Sequence, residues 1–195
     1  KQTLEEVQRN AMKINSLIHQ VLNFNRIEDN EDSLLILSRI ELVSFSHSLF
    51  SVYEEDKRLT FLFETNKAKM YADMDAIKLG VILDSLLSNA VKFTPDGGSI
   101  RLSLFYREET GLVDICVSDT GSGIPPRDIP YIFQRFFQSP HSGNKEGTGI
   151  GLYLVKTYTE LHGGHITGVT SEEGKETSVG LNIPVIAVEE EEIPA

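Results

Sequence analysis

The stretch Asp119-Thr-Gly-Ser-Gly-Ile-Pro125 decides how the rest of this chain is read. It follows Leu112-Val-Asp-Ile-Cys-Val117, where apolar and polar residues alternate as in a half-buried strand. A carboxylate and two glycines at a strand end suit a ligand-binding loop. Asp119 offers an acceptor to a purine amino group, and Gly121 and Gly123 permit backbone conformations and close approach that a side chain would block. The same residues also suit a plain Gly-rich turn between strands. Three further stretches bear on the choice: Asn89-Ala-Val-Lys-Phe93, Phe133-Gln-Arg-Phe-Phe137 and Gly147-Thr-Gly-Ile-Gly-Leu152.

The 195 residues suffice for one domain with a sizeable core plus an appendage. Apolar content of 40% and charged content of 24% read as soluble and globular. A formal charge of −11 opposes wrapping around a polyanion, so nucleic acid is not an expected partner. An anionic nucleotide is still admissible, because a pocket uses local donors rather than net charge. The single Cys116 excludes a disulfide framework or a cysteine zinc cluster, and in a strand pattern it reads as a core residue. There is no signal peptide and no long uninterrupted apolar run. The chain begins in mid-pattern, as a fragment of a longer protein would.

From the front, Leu4, Val7, Ala11, Ile14, Ile18 and Val21 recur at alternating three and four spacing, a heptad seam that Leu17, Leu22 and Phe24 widen. A lone helix of this length is marginal in water, so it calls for a partner, most simply a second copy in a helical bundle. His19 lies beside the stripe as a helix-surface or interface residue. Polar residues 29–33 mark the boundary. The pattern then predicts an extended segment over 34–45, a short helix over 46–56, and strands over 59–64 and 69–72. A strong amphipathic helix is predicted over 77–93, ended by Thr94-Pro-Asp-Gly-Gly98, and residues 99–106 and 112–118 read as a hairpin. Residues 127–136 read as a short helix, 138–145 as a polar loop suited to a mobile lid, and 148–161 as a helix closed by Gly163-Gly164. Strands over 165–170 and 177–183 complete the pattern, and Glu189 to Glu192 read as a solvated tail or linker.

Asn89 and Lys92 are three apart and share a helix face. An amide oxygen is a plausible ligand for a hard cation such as magnesium, and an ammonium beside it meets a phosphate as a point charge. Alone, the pair also reads as an ordinary polar helix face, and Phe93 as packing or as a flank for a base. The run Gly147, Thr148, Gly149, Ile150, Gly151, Leu152 sits just before a helix, where backbone amides and the helix dipole suit phosphates. Its spacing differs from the dinucleotide fingerprint, it follows a polar loop rather than a strand, and it lacks the Lys-Ser/Thr ending of a Walker loop. Phosphate binding here therefore points to a different fold.

Taken together and in this order, the four stretches resemble the ATP-binding catalytic domain of sensor histidine kinases, within the superfamily of gyrase, Hsp90 and MutL. The resemblance covers about residues 36–184. Ser85-Leu-Leu-Ser-Asn89-Ala-Val-Lys92-Phe93 matches the asparagine box, with Ser85 where the first asparagine is usual. Asp119, Gly121, Gly123 and Ile124 match the first glycine box, Phe133, Phe136 and Phe137 the phenylalanine box, and 147–152 the second glycine box. Gly174-Lys-Glu-Thr177-Ser resembles the last box, with Glu176 where glycine is usual.

The resemblance implies a two-layer α/β sandwich with a mixed sheet, a Bergerat-type ATP-binding fold of the α+β kind, preceded by a coiled-coil-like helix. It implies ATP and Mg2+ as cofactors, with Asn89 the magnesium ligand, Lys92 a phosphate contact, Asp119 the acceptor of the adenine amino group and Thr177 near the adenine. It implies residues 1–29 as a second dimerisation helix, 34–186 as the catalytic domain and 187–195 as a tail or linker. A homodimer, a response regulator or receiver domain as partner, and a cytoplasmic location with membrane attachment only through other parts of the parent follow likewise.

Two departures bear on the reaction. Relatives that hydrolyse ATP carry a glutamate at position 85 as water-activating base, and serine cannot serve that way without an activator. None of His19, His47, His141, His162 or His165 has the histidine-carboxylate context of the family's phosphoacceptor. The expected activity is therefore phosphoryl transfer to a histidine outside this chain. A non-catalytic nucleotide-sensing or docking module, an ATPase of the same superfamily, and a serine-directed kinase as in anti-sigma factors are the alternatives.

Overall fold

The computed structural model describes residues 35–140 and 147–189. The expected heptad helix, residues 141–145 of the polar loop with His141, and the tail beyond residue 189 lie outside the described residues.

The chain enters through β1 (Ser38–Glu41) and turns at once into α1 (Leu42–Tyr53). The sequence reading carries an extended segment on to residue 45, through Arg39-Ile-Glu-Leu-Val43. The Glu41 carboxylate decides otherwise. It accepts from the Val43 and Ser44 amides at 2.9 and 2.8 Å, satisfying two orphan donors and starting the helix four residues before the predicted position. The strands β2 (Thr60–Thr65) and β3 (Lys69–Met74) follow. Then comes α2 (Ala76–Phe93), whose Leu79, Ile82, Leu83, Leu86, Leu87 and Ala90 form one buried stripe at helical spacing. Asp75 caps its start, accepting from the Ile77 and Lys78 amides at 3.0 and 3.1 Å. Thr94 closes its end through bonds from its amide and hydroxyl to the Ala90 carbonyl, at 3.0 and 2.7 Å.

β4 (Ser99–Arg107) and β5 (Leu112–Asp119) form the predicted antiparallel hairpin. The helix expected over 127–136 is only a 3-10 turn, Ile129–Tyr131. Pro125, Pro126 and Pro130 remove amide donors from this stretch, and the backbone instead makes successive tight turns, Asp128 to Pro125, Tyr131 to Asp128 and Gln134 to Tyr131. Helix α3 (Gly151–Leu161) begins three residues later than the sequence suggests, because Gly149 has φ of +71°. The described residues end with β6 (His165–Glu172), β7 (Glu176–Pro184) and β8 (Ala187–Glu189). β8 pairs antiparallel with β3, so the strands run further than the sequence indicated and Ala187 to Glu189 do not begin a solvated tail.

The five-stranded sheet has the order β2-β4-β5-β7-β6 and is mixed, since β2 pairs parallel with β4 and the other neighbours are antiparallel. A smaller antiparallel sheet, β1-β3-β8, stands beside it. One face of the large sheet carries the columns Ile100-Leu102-Leu104, Val113-Ile115-Val117 and Val179-Leu181-Ile183, all buried in one core with the stripes of α1, α2 and α3. The architecture is thus helices on one face of a mixed sheet, as the resemblance implied.

Candidate functional site

Asp119 is the last member of the column Val113-Ile115-Val117, so the alternation that builds the core also drives a carboxylate into its rim. It is 9% exposed, and burial pushes its carboxyl up to about 6 against the bond it accepts from the Gly121 amide at 2.9 Å. A Cβ on Gly121 would stand 2.5 Å from Asp119 Oδ1 and 2.8 Å from the Phe93 carbonyl. Only glycine fits between the carboxylate and the end of α2. The Ser122 amide also donates to the Phe93 carbonyl, at 3.2 Å, which fastens the Asp119 loop to the helix that carries Asn89 and Lys92.

Register places Thr177 on β7 directly beside Asp119, and Ser171 on β6 beside Thr177. Thr177 is buried. Ile124 is joined to this row through its amide, which donates to Ser171 Oγ at 2.7 Å. Gly123, with φ of +69°, lies where a Cβ would meet the Glu172 carbonyl at 2.3 Å, so the loop rests directly on the β6–β7 turn.

On α2, Asn89 is half-buried and Lys92 lies one turn further on. The Lys92 ammonium stands 4.7 Å from the Phe93 ring centroid, a cation–π contact, and 3.0 Å from where a Cβ on Gly147 would sit. Lysine and the second glycine run are therefore brought together. Gly149 meets Phe136, whose amide donates to the Gly149 carbonyl at 2.9 Å and whose φ is +63°. Gln138 Nε2 donates to the Gly147 carbonyl at 2.9 Å. Thr148 Oγ1 accepts from the Ile150 amide at 3.3 Å.

Gly151 opens α3, and among the described residues no side chain caps that helix. Its first amides and the positive end of its dipole are thus left for an anion. Two members of the run have a different place: Ile150 is in the core and Leu152 packs against it. Their side chains belong to the core, and only their backbones stand at the start of α3.

Two residues of this neighbourhood were passed over or undervalued in the sequence. Ser171 joins Ile124 to Thr177, and only the hairpin register reveals it. Ser85 is buried, and a Cβ on Gly151 would lie 3.6 Å from its hydroxyl, so position 85 packs against the start of α3. Among the described residues no cluster of His, Cys, Asp or Glu could hold a metal ion. A divalent cation here would rest on Asn89 and on the oxygens of its own ligand. A separate groove of about 350 Å³ lies on the opposite face of the sheet, lined by Ser103, Cys116, Thr170 and Ser178 among others, and touches none of these residues. No helix among the described residues is long and apolar enough to cross a membrane.

The chain is 31% identical over 186 residues to the sensor histidine kinase WalK of Bacillus subtilis (strain 168), covering 93% of this chain and 30% of that relative. It thus spans under a third of that relative's length. Its fold matches full-length ShkA, solved in complex with AMPPNP, with a TM-score of 0.74 at 24% identity, over 96% of this chain and 40% of that one. It also matches histidine kinase ThkA in complex with the response regulator protein TrrA, with a TM-score of 0.67 at 20% identity, over 95% of this chain and 53% of that one. Residues 74–187, which hold Asn89, Lys92, Asp119, the second glycine run and Thr177, match the family model described as histidine kinase-, DNA gyrase B-, and HSP90-like ATPase, and the chain belongs to that family.

Proposed function

We propose that this chain binds ATP with magnesium and positions the γ-phosphoryl group for transfer to a histidine on a dimerisation helix outside it, as the catalytic part of a two-component signalling kinase. The observation that carries this reading is the junction of α2 with the Asp119 loop. A buried carboxylate, a lysine against a glycine run and an uncapped helix start all lie around one end of the fold. The cradle fits a nucleotide, because Gly121 and Gly147 leave out side chains that would fill it.

Asp119 and Thr177 hold the purine edge, Phe93 flanks it, and the backbone of Gly121, Gly123 and Ile124 lines it. Lys92 and the amides of 147–152 meet the phosphates, with Gly147, Gly149 and Gly151 allowing close approach. Asn89 is the protein ligand for Mg2+, which supplies charge neutralisation across the phosphate oxygens when bound. The residues named here orient and neutralise; the nucleophile comes from elsewhere. Residues 1–29 are the second dimerisation helix of a homodimer, and the catalytic unit begins near residue 34. A response-regulator aspartate receives the phosphoryl group in turn, as the ThkA–TrrA pairing supports. The site works in the cytoplasm.

Hydrolysis is disfavoured by Ser85, which is buried against Gly151 and carries no base toward a water. The second reading, a nucleotide-sensing module without transfer, is favoured by the same serine and by Glu176, both departures from the usual boxes. Calorimetric titration with MgATP, on the chain and on its Asp119→Asn and Asn89→Ala variants, tests the site. Loss of binding in both supports it, and unchanged affinity overturns it. Addition of a dimerisation helix carrying a histidine then separates kinase from sensor, since binding without label transfer favours the sensor.

A further inference from the structure

Register lines up Ile100, Asp119, Thr177 and Ser171 across the four strands β4, β5, β7 and β6. Three of the four are polar, and they sit at the end of an otherwise apolar face. Ser171 occupies the outer position of the row, and its hydroxyl has three neighbours. The Ile124 amide donates to it at 2.7 Å. It donates to the Glu176 carbonyl at 2.8 Å. Thr177 Oγ1 lies 3.2 Å away.

A serine hydroxyl has one proton and two lone pairs. The Glu176 carbonyl can only accept, so it takes the proton. The Ile124 amide can only donate, so it takes one lone pair. What remains for Thr177 is a lone pair, and Thr177 must therefore be the donor. Its own proton is then committed to Ser171, and only its lone pairs are left for a ligand. On the other side of the row, Asp119 Oδ1 accepts from the Gly121 amide, and above a pH of about 6 its carboxylate has no proton to give.

We propose that Ser171 is a specificity-determining positioning residue: by taking the Thr177 proton, it makes the purine end of the pocket present acceptors only. A purine with an exocyclic amino group at position 6 meets those acceptors with a donor. The 6-oxygen of a 6-oxo purine meets them oxygen to oxygen. Discrimination against the 6-oxo base thus depends on a residue two strands away from the carboxylate. This inference rests on the reading that Asp119 and Thr177 face the base. Without Ser171 the Thr177 hydroxyl is free to rotate and donate to a 6-oxo oxygen, so the penalty on that base relaxes.

The test compares dissociation constants for the magnesium salts of ATP and inosine triphosphate, which differ in the group at position 6 and in the proton that the 6-oxo base carries at N1. Ser171→Ala is expected to narrow the ATP preference by about tenfold, chiefly through tighter binding of inosine triphosphate, the gain corresponding to about one recovered hydrogen bond. Ser171→Thr, which keeps the hydroxyl, is expected to retain the preference. In a Thr177→Val background, Ser171→Ala is expected to change the ratio no further. Equal weakening of both nucleotides in Ser171→Ala, with the ratio preserved, overturns the proposal, since that is what a merely structural serine would do. Should the alanine variant fail to fold, Ser171→Cys takes its place with the same two readings, the thiol being a weak acceptor. If the unsubstituted chain binds neither nucleotide, the nucleotide-site reading fails and this inference falls with it. If it binds ATP in an Asp119-dependent way yet Ser171 has no effect on the ratio, only this inference falls.

Discussion

Helices α2 and α3 pack against each other in one core, yet they begin in opposite ways. The start of α2 is closed by its own chain. Asp75 accepts from two helix amides and from the Ile36 amide at 3.1 Å, lies 3.5 Å from the buried Lys78 ammonium, and has its own amide held by His162 Nε2 at 3.0 Å. Among the described residues the start of α3 has no side-chain cap, and the glycines Gly147 and Gly149 precede it. The same physics, orphan amides at a helix terminus, is thus settled at one end and left open at the other. The closed end stabilises the fold, and the open end leaves backbone amides where the proposed phosphates would sit.

The contrast is broken most directly at the closed end. Asp75→Ala removes the cap and leaves Lys78 a buried charge without its carboxylate, so a loss of about 2–3 kcal/mol in chemical denaturation is expected. ATP affinity of the remaining folded protein should hold, because the site lies at the other end of α2. A comparable loss of nucleotide affinity following Asp75→Ala would mean that the two ends are not separate.

At the open end, Gly149→Ala would set a Cβ 2.6 Å from the Phe136 carbonyl carbon on a residue with φ of +71°. Strain of about 2 kcal/mol and at least tenfold weaker ATP binding are expected. Gly174→Ala, at a similar φ but with nothing within 4 Å, should weaken stability only slightly and serves as the control.

Asp119 offers a smaller effect of opposite sign. Its carboxyl is raised by burial, so between its ordinary value of 3.8 and about 6 the folded protein binds more protons than the unfolded chain. Stability of the nucleotide-free protein therefore falls as pH rises through this window. Asp119→Asn should remove that dependence and, at neutral pH, gain about 1–2 kcal/mol in urea denaturation while ATP binding is lost. A variant that lost both stability and binding would show that the carboxylate is structural.

The smallest effect belongs to His162. Its Nδ1 lies 2.6 Å from the Tyr158 carbonyl and its Nε2 accepts from Asp75, an arrangement that requires the neutral ring. Burial lowers its titration below the ordinary 6.5, ahead of the raising influence of Tyr158 and Asp75, and the Lys78 charge lowers it further. The unfolded chain then binds the extra proton first, so stability is lost as pH falls below about 6.5. Thermal melts from pH 7.5 downward should show this loss in the native chain and less of it in His162→Gln, after allowance for the opposite slope of Asp119.

Much of this was legible in the sequence. The stripe of α2 and the turn chemistry at Thr94 that ends it are local, and the helix begins within one residue of the predicted place, although the sequence reading does not identify the Asp75 cap. The glycine runs flanking Asp119 and preceding α3 were readable because glycine in that pattern points to backbone approach. What escaped depends on distant partners. Glu41 turns a strand-like alternation into a helix through its side chain, and Gly149 delays α3 because Phe136 occupies the space beside it. Ser171 looked like any polar residue near a turn until register set it next to Thr177. β8 is too short to announce itself without β3.

One bond made outside the site has a mechanical meaning. Ile36, on the segment that enters the fold, hangs by its amide from Asp75, and Asp75 begins an 18-residue helix, a strut of about 27 Å. The far tip of that strut carries Asn89, Lys92 and Phe93. A pull on the entering segment is therefore shared between the β1–β3 ladder and this rigid rod, and the Ile36 amide is the first bond to take the load.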